Sequence, residues 1–499
     1  MNPDILLINP GGSKARIYQD LSKEFSAADT PFWAILTAGY LRKEGFRVAV
    51  LDANAENIDF DETVRRIEAL APKYIAIICY SQQANVSTPI MVGVGELCRK
   101  IKDKIPEKNL ILTGWHPSAL PERTLREEAC DLVVQGEGFY TLRDLLSGKK
   151  YRDVCGLCFE ENGEIILTPR PENVQDLTGE LSEVAWDLLP MNQEKYRAFN
   201  WMCLGDLGTR NRFASLFTSL GCPFHCNFCA IHATYGEHKL RSWSTEWVMG
   251  QLDQLVQNYG VKNINLHDEL FIFQREHYHR IAEGIVERGY KLNIASFARV
   301  DVLDRIPPEE LAFLKKAGFN WFKLGIETGN DEIIRKNMKG NFTKEVIRRV
   351  VKKVHEAGID LCANFMFGLP GDTMQSMQEN LEFALELRCA FPSFFCTMAI
   401  PGSELYQIAL EKGTPLPDTW LGYASQGYDF LPLPTEALTA AEVLEFRDHV
   451  FDTYFTDPGY LAMIEEKFGT ESCDHIKGMT SIKLRRRLLE QGLPPGQAA

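Results

Sequence analysis

The 499-residue sequence predicts an α/β protein in two parts. A doubly wound parallel sheet is expected over residues 1–150 and a partial (β/α)6 barrel over 214–414. A connector at 151–213 joins them, and a helical extension follows at 415–499. Three observations lead to this expectation. Short apolar runs alternate with helix-periodic segments from the first residues onward, the pattern of parallel strands covered by helices. The alternation lapses over 151–213 and resumes with regular spacing after Phe213. The helical segments stop at glycines, among them Gly45, Gly260, Gly289, Gly318 and Gly358, as helices that end in a left-handed residue do.

In the first part, strands are expected at 4–8, 48–51, 74–79, 110–113 and 132–134, with helices at 32–43, 91–102 and 139–146. The run at 74–79 is apolar throughout, as a strand buried on both faces must be. Ligands of such Rossmann-like sheets bind beyond the carboxyl ends of the strands. Those ends read Asn9-Pro10-Gly11-Gly12, Ser81-Gln82-Gln83, Gly114-Trp115-His116-Pro117 and Gly136-Glu137-Gly138. Small residues there let backbone approach a large flat ligand, so a nucleotide-like ligand is expected.

In the connector, Asn162-Gly163 between two apolar runs signals a β-hairpin over 154–168. Cys155 and Cys158 lie three apart on its first strand, where side chains face opposite sides, so the pair is not read as a metal site. The irregular stretch to Arg212 reads as an interdomain wrap. Barrel strands are expected at 214–219, 262–266, 292–297, 321–326, 361–367 and 394–399. Their ends carry His267-Asp268-Glu269, Arg299 with Asp301, Glu327-Thr328-Gly329, Gly368-Leu369-Pro370-Gly371 and Pro401-Gly402. Polar groups gathered on one rim of an apolar barrel mark a site. In the extension, helices are expected at 440–454, 459–467 and 481–491. The last is basic at Lys483 and Arg485 to Arg487 and reads as a solvated face.

The most specific stretch leaves the first barrel strand: Cys222-Pro-Phe-His-Cys226-Asn-Phe-Cys229. Three thiolates at this spacing suit one soft metal centre. Three ligands leave a four-iron cluster with one open iron, where a substrate or cosubstrate binds. A fourth thiolate is far away, at Cys362. Zinc with His225 or His232 as fourth ligand is the metal alternative. The motif, with Phe228 before its last cysteine, resembles the signature of the radical S-adenosylmethionine enzymes. The preceding Gly-x-His-Pro and Val-x-Gly-Glu-Gly segments resemble the cobalamin-binding domain of the cobalamin-dependent members of that family.

The resemblance implies a 4Fe-4S cluster on Cys222, Cys226 and Cys229, with S-adenosylmethionine on its open iron. It implies Asp268 and Glu269 at the methionine amino group, Arg299 at the carboxylate and Glu327 at the ribose. Phe228 and Gly368 to Pro370 flank the adenine. Arg299 has a structural alternative, pairing with Asp301 or Glu327. His267-Asp268-Glu269 stands where the wider family has Gly-Gly-Glu. Cobalamin is implied at Gly11, Ser81, Gln82, Gly114, His116, Pro117, Gly136, Glu137 and Gly138. No Asp-x-His-x-x-Gly motif occurs, so His116 is read as a loop or cofactor contact rather than a cobalt ligand.

The activity implied is a C-methyltransferase on a small-molecule substrate, with a ring-forming cyclase as the alternative. An electron donor such as flavodoxin or ferredoxin is implied as partner. An RNA methylthiotransferase would need further cluster cysteines and a basic C-terminal barrel, and a bare carrier would not need an open iron; neither fits. The formal net charge of −14 speaks against a general nucleic-acid binder. No apolar run is long enough to span a membrane, and the start lacks a signal pattern. Thirteen scattered cysteines form no disulfide framework, so a reducing cytoplasmic setting is expected.

Overall fold

A computed structural model describes residues 2–80 and 84–491. Among these residues, strands β1 (Ile5–Asn9), β2 (Val48–Asp52), β3 (Tyr74–Cys79), β4 (Asn109–Gly114) and β5 (Leu132–Val134) form a parallel sheet in the order β2-β1-β3-β4-β5. The hairpin β6 (Leu157–Glu161) and β7 (Glu164–Leu167) extends the same sheet antiparallel from β5. Asn162 and Gly163 both have positive φ, 55° and 83°, as its tight turn requires. Pairing β6 to β5 covers an edge that would otherwise expose unpaired backbone groups. Within it, Cys158 is buried in the core and Cys155 is exposed, so the pair forms no centre.

The two short strands β9 (Ser219–Leu220) and β10 (Arg241–Ser242) pair with each other after β8 (Phe213–Leu216). Strands β11 (Asn263–Leu266), β12 (Asn293–Arg299), β13 (Phe319–Glu327), β14 (Asp360–Phe367) and β15 (Ser393–Cys396) join β8 in a curled six-stranded parallel sheet, ordered β8-β11-β12-β13-β14-β15. The mixed α/β architecture expected from the sequence, with a helical end, is therefore present. The first barrel strand is shorter than the 214–219 expected. Its chain is diverted at Thr218, whose backbone N–H and hydroxyl both donate to the Asp268 carboxylate.

The helix Phe32–Lys43 is buried from Phe32 to Leu41, because the first sheet lies on one side and the connector on the other. A Cβ at Gly39 would stand 2.1 Å from the Glu183 carbonyl oxygen, so the helix can approach the connector only there as glycine. The connector is thus core rather than wrapping: Trp186 is fully buried and donates to Gln251 Oε1 at 2.9 Å.

Two helices differ from expectation. The helix over Ala84–Lys104 runs a turn and more ahead of residue 91 and contains Pro89. In the extension, helices Ala440–Thr456 and Pro458–Phe468 fall where expected, but the third is Thr470–Ser481, and only Arg487–Gln491 is helical beyond it. Within the basic stretch Lys483 and Arg485 are exposed, as expected, and Arg486 is not. Arg486 is 3% exposed, pairs with Asp448 at 2.9 Å and donates to the carbonyls of Ser425 and Gly427.

Candidate active site

The cysteine loop runs from Cys222 to Cys229 between β9 and a short helix, His232–Tyr235. All three thiols are free and half-buried. Burial pushes the Cys222 thiol up to about 11 and raises that of Cys229 further. Three thiols on one loop are the kind of donor set that takes an iron–sulfur cluster, while among the described residues no group of three is placed to hold a single metal ion. The loop is pinned from the far rim. Leu405 N–H donates to the Asn227 carbonyl at 3.0 Å, and Asn337 Nδ2 reaches the Pro370 carbonyl at 3.2 Å while its amide oxygen lies 3.3 Å from Asn227 Nδ2. The zinc alternative loses its ligand His232, whose two ring nitrogens sit 2.8 Å from the Phe224 carbonyl and 3.1 Å from that of Glu237. His225 stacks on His238 instead.

The rim residues separate into those already engaged and those that are not. Asp268 was expected beside Glu269 at one ligand group. Its carboxylate is instead consumed by Thr218 and by the Ser219 hydroxyl at 2.7 Å. Glu269 has no hydrogen-bond or ion-pair partner among the described residues, and burial pushes its carboxyl up to about 7, with Asp268 adding to the rise. Its charge also acts on Cys222 and Cys229, which places it beside the cysteine loop.

Arg299 pairs with Asp301 at 3.0 Å through Nε and Nη2, lies 3.6 Å over the Phe224 ring, and brings Nη1 to 3.4 Å from Cys226 Sγ. Of its two structural alternatives, Asp301 is the partner and Glu327 is not. Glu327 pairs at 2.7 Å with Lys339, a residue that no local sequence pattern singles out. A bulge between Gly325 and Glu327 leaves Glu327 with φ 64°, a strained left-handed backbone that re-aims its side chain. Lys339 also lies over the Phe228 ring, 5.8 Å from its centroid. Gly368 differs from expectation: its bare face meets helix Ala440–Thr456, where a Cβ would stand 2.6 Å from Val443 Cγ1. The loop Gly368 to Pro370 is braced by Asp372, which accepts from Leu369 N–H at 2.8 Å.

Across from this rim stand the strand ends of the first sheet. Gly11, Asn54 and Tyr80 from that sheet, with Phe217 and His267 from the barrel, line a cavity of about 120 Å³ between the two parts. Gly114 is a glycine for its neighbour rather than for a ligand. Its φ is 141°, and a Cβ would stand 2.4 Å from the Cys79 backbone. His116 and Pro117 lie buried in a short helix, Trp115–Ala119. His116 Nδ1 lies 3.1 Å from the Thr88 hydroxyl, and its ring meets Trp420 of the extension at 4.4 Å. Burial pushes its imidazole down to about 3, so it stays neutral. The Gly136 carbonyl accepts from Tyr80 Oη at 3.1 Å, and Gly138 caps the helix Phe139–Leu146. Glu137 departs from its expected ligand role: it is bound to Arg241 at 2.5 Å, with both side chains under 8% exposed, and accepts from Val174 N–H at 2.9 Å. Ser81 and Gln82 lie outside the described residues. Four buried polar atoms at these strand ends, Trp33 Nε1, Thr113 Oγ1, Trp115 Nε1 and His116 Nε2, have no partner. They fit a ligand rich in amides.

Besides the Asp29–His267 and Glu137–Arg241 pairs, the two parts meet at Gly402. Gly402, after β15, lies so close to Ala233 and Ala119 that a Cβ on it would stand 2.5 and 3.1 Å from their methyl carbons. One part therefore presents half-buried thiols with an unpaired acid beside them; the other presents unpaired polar atoms, those of Trp33 at the cavity between the parts.

Residues 216–384 match the radical SAM superfamily, so the barrel is that of a radical S-adenosylmethionine enzyme. Residues 29–146 match the B12 binding domain, and the chain belongs to the cobalamin-dependent radical S-adenosylmethionine enzymes. Its cofactors are those of the two domains: a 4Fe-4S cluster, S-adenosylmethionine and cobalamin. An uncharacterized methyltransferase of Pyrococcus horikoshii is 26% identical over 84% of this chain and 86% of its own length. The anaerobic magnesium-protoporphyrin IX monomethyl ester cyclase of Cereibacter sphaeroides is 23% identical over 86% of this chain and 67% of its own. Among solved structures, the cobalamin-dependent S-adenosylmethionine radical enzyme OxsB, with aqua-cobalamin and S-adenosylmethionine bound, superposes with a TM-score of 0.68. Identity there is 17%, over 96% of this chain and 72% of that one, a likeness of fold. Among the described residues no helix is long and apolar enough to cross a membrane.

Proposed function

We propose that this enzyme places a methyl group on an unactivated carbon of a small-molecule substrate. The observation that carries the reading is the cavity shared by the B12-domain strand ends and the barrel rim, through Gly11 and Tyr80 on one side and Phe217 and His267 on the other. A cavity between the two domains is where a methyl carrier and a radical generator would meet one substrate, and this supports the reading. When bound, the cluster supplies the electron that cleaves S-adenosylmethionine, and cobalamin carries the methyl group.

The protein's own part is to hold and orient. Cys222, Cys226 and Cys229 take the cluster. Glu269, the one rim acid without a partner among the described residues, takes the methionine amino group. Arg299 Nη1, already beside Cys226, takes the carboxylate. Glu327, with Lys339 fixing it, takes the ribose, and Phe228 lies against the adenine. Gly11, His116 and the unpaired atoms of Trp33 and Trp115 face cobalamin. The free volume there is below that of ordinary cofactor pockets, ~300–1,000 Å³. A small reduced electron-transfer protein of the flavodoxin or ferredoxin kind supplies the electron.

Coproduct analysis tests the reaction. Methyl transfer gives one 5′-deoxyadenosine and one S-adenosylhomocysteine per methylated product. A ring closure, the second reading, suggested by the cyclase relative, gives no S-adenosylhomocysteine. Glu327→Gln tests the ribose contact. A charged acceptor is worth ~1.5–3 kcal/mol, so affinity for S-adenosylmethionine falls roughly tenfold or more, with cluster content unchanged. Unchanged affinity with a lower melting temperature would leave Lys339 as the only partner of Glu327.

A further inference from the structure

The barrel lumen holds a charge with no counterpart. Lys323, midway along β13, is 6% exposed. Its ammonium donates to Asn265 Oδ1 at 2.8 Å, lies 3.4 Å from the Leu266 carbonyl, and sits 3.6 Å over the Phe297 ring. No carboxylate among the described residues lies within ion-pair distance of it. Of the acids that act on it from farther off, Asp29 and Asp268 are committed elsewhere, while Glu269 has no hydrogen-bond or ion-pair partner of its own among the described residues. Asp29 binds the Ser215 hydroxyl and lies 2.7 Å from His267 Nε2, Asp268 is held by Thr218 and Ser219, and Glu269 faces the cysteine loop. A buried ammonium without an anion is costly, and burial pushes this one down to about 7.

Lys323 points into a cavity of about 200 Å³ that Asn265, Phe297, Asn364 and Phe395 also line. That lumen shares Phe199, Trp201, Ser393 and Phe395 with a second cavity of about 330 Å³. The second cavity runs out past β15 between Phe391, Phe451 and Leu484, under the C-terminal helices. Aromatic side chains line part of it, beside Arg447, Asp448, Asp452 and Lys483. The two cavities adjoin at these shared residues and, joined, would make a passage from the flank of the barrel to the Lys323 ammonium.

We infer that this passage is the substrate pocket and that the substrate is an elongated molecule with one ionised acidic group, held by Lys323, and an apolar body lying along Phe395 and Trp201 to Phe451. The inference rests on the reading of the barrel as the seat of catalysis, but its test measures binding alone. 1-Pyrenebutanoate, an anion with a flat apolar body, and the neutral 1-pyrenebutanol are dialysed to equilibrium against the reconstituted holoenzyme. The carboxylate binds wild-type protein more tightly than the alcohol. Lys323→Met weakens the carboxylate roughly tenfold or more and leaves the alcohol as before, because a charged hydrogen bond is lost. Lys323→Arg keeps carboxylate binding, which shows that loss in Lys323→Met is not misfolding. Equal binding of acid and alcohol by wild type, or equal weakening of both in Lys323→Met, would overturn the assignment. So would displacement of the probe by S-adenosylmethionine with matching loss of its affinity in Lys323→Met, since the lysine would then serve the cosubstrate's carboxylate. Reductive cleavage of S-adenosylmethionine by wild type, run alongside, reports on the proposed function separately.

Discussion

Alanine at Cys222, Cys226 and Cys229 together gives a protein that folds, takes up no cluster iron and cleaves no S-adenosylmethionine. The thiols are half-buried in a loop pinned by Asn227, Asn337 and Leu405. The pins are backbone and amide contacts, so the loop survives loss of the sulfurs. Burial raises the Cys222 and Cys229 thiols, and a bound metal favours the thiolate that ligates it. Anaerobic reconstitution followed by iron analysis, visible absorbance and 5′-deoxyadenosine assay reads the result. The pair Cys155 and Cys158, one exposed and one in the core, serves as control: alanine at Cys155 changes none of the three readings. Iron uptake and cleavage persisting in the triple variant would end the cluster assignment.

Glu137→Gln has the largest expected effect on stability. Glu137 and Arg241 join the B12 domain to the strand that follows the cysteine loop, and both are almost wholly buried. Removing one partner leaves a guanidinium in the interior with only the more distant Glu237, 3.9 Å away, as counter-charge; breaking a buried pair costs ~3–5 kcal/mol. Thermal or denaturant unfolding of the apo protein shows the loss. The double variant Glu137→Gln/Arg241→Met recovers much of it, because the stranded charge is gone. If Glu137→Gln instead unfolds like wild type and fails only to bind cobalamin, the residue contacts the ligand and the ion pair is incidental.

What the sequence made legible was whatever local pattern writes down. Strand ends, helix stops and the cysteine spacing are all local, and so the two sheets and the position of the cysteine loop on the barrel rim could be read from residues a few places apart. The roles of Asp268, Glu137 and Gly368 were not readable, because each depends on a partner fifty or more residues away: Thr218, Arg241 and Val443. Lys339 and Lys323 left no signal at all. A lysine after a helix or in a strand looks like surface until the fold closes over it. The helix Thr470–Ser481 was missed because its polar sequence shows little of the apolar periodicity that marks a packed face, although Cys473, Ile476 and Met479 are buried. Arg486 misled in the opposite sense, since three neighbouring basic residues suggested solvent where one of them is an internal tie.

The contact of Gly402 with Ala119 and Ala233 bears on how such an enzyme can diverge. Three segments from the B12 domain, the cysteine loop and the last barrel strand meet there with no room for one more methyl group. Gly402 also has φ 91°, a backbone that other residues rarely adopt. The approach of the B12-binding domain to the barrel at this point thus depends on the absence of side chains. The pocket walls can change to admit new substrates without disturbing that approach. The two halves, by contrast, are not interchangeable parts: a B12 domain transplanted from a relative with a bulkier residue at position 119 would stand off from the barrel however well each half folded.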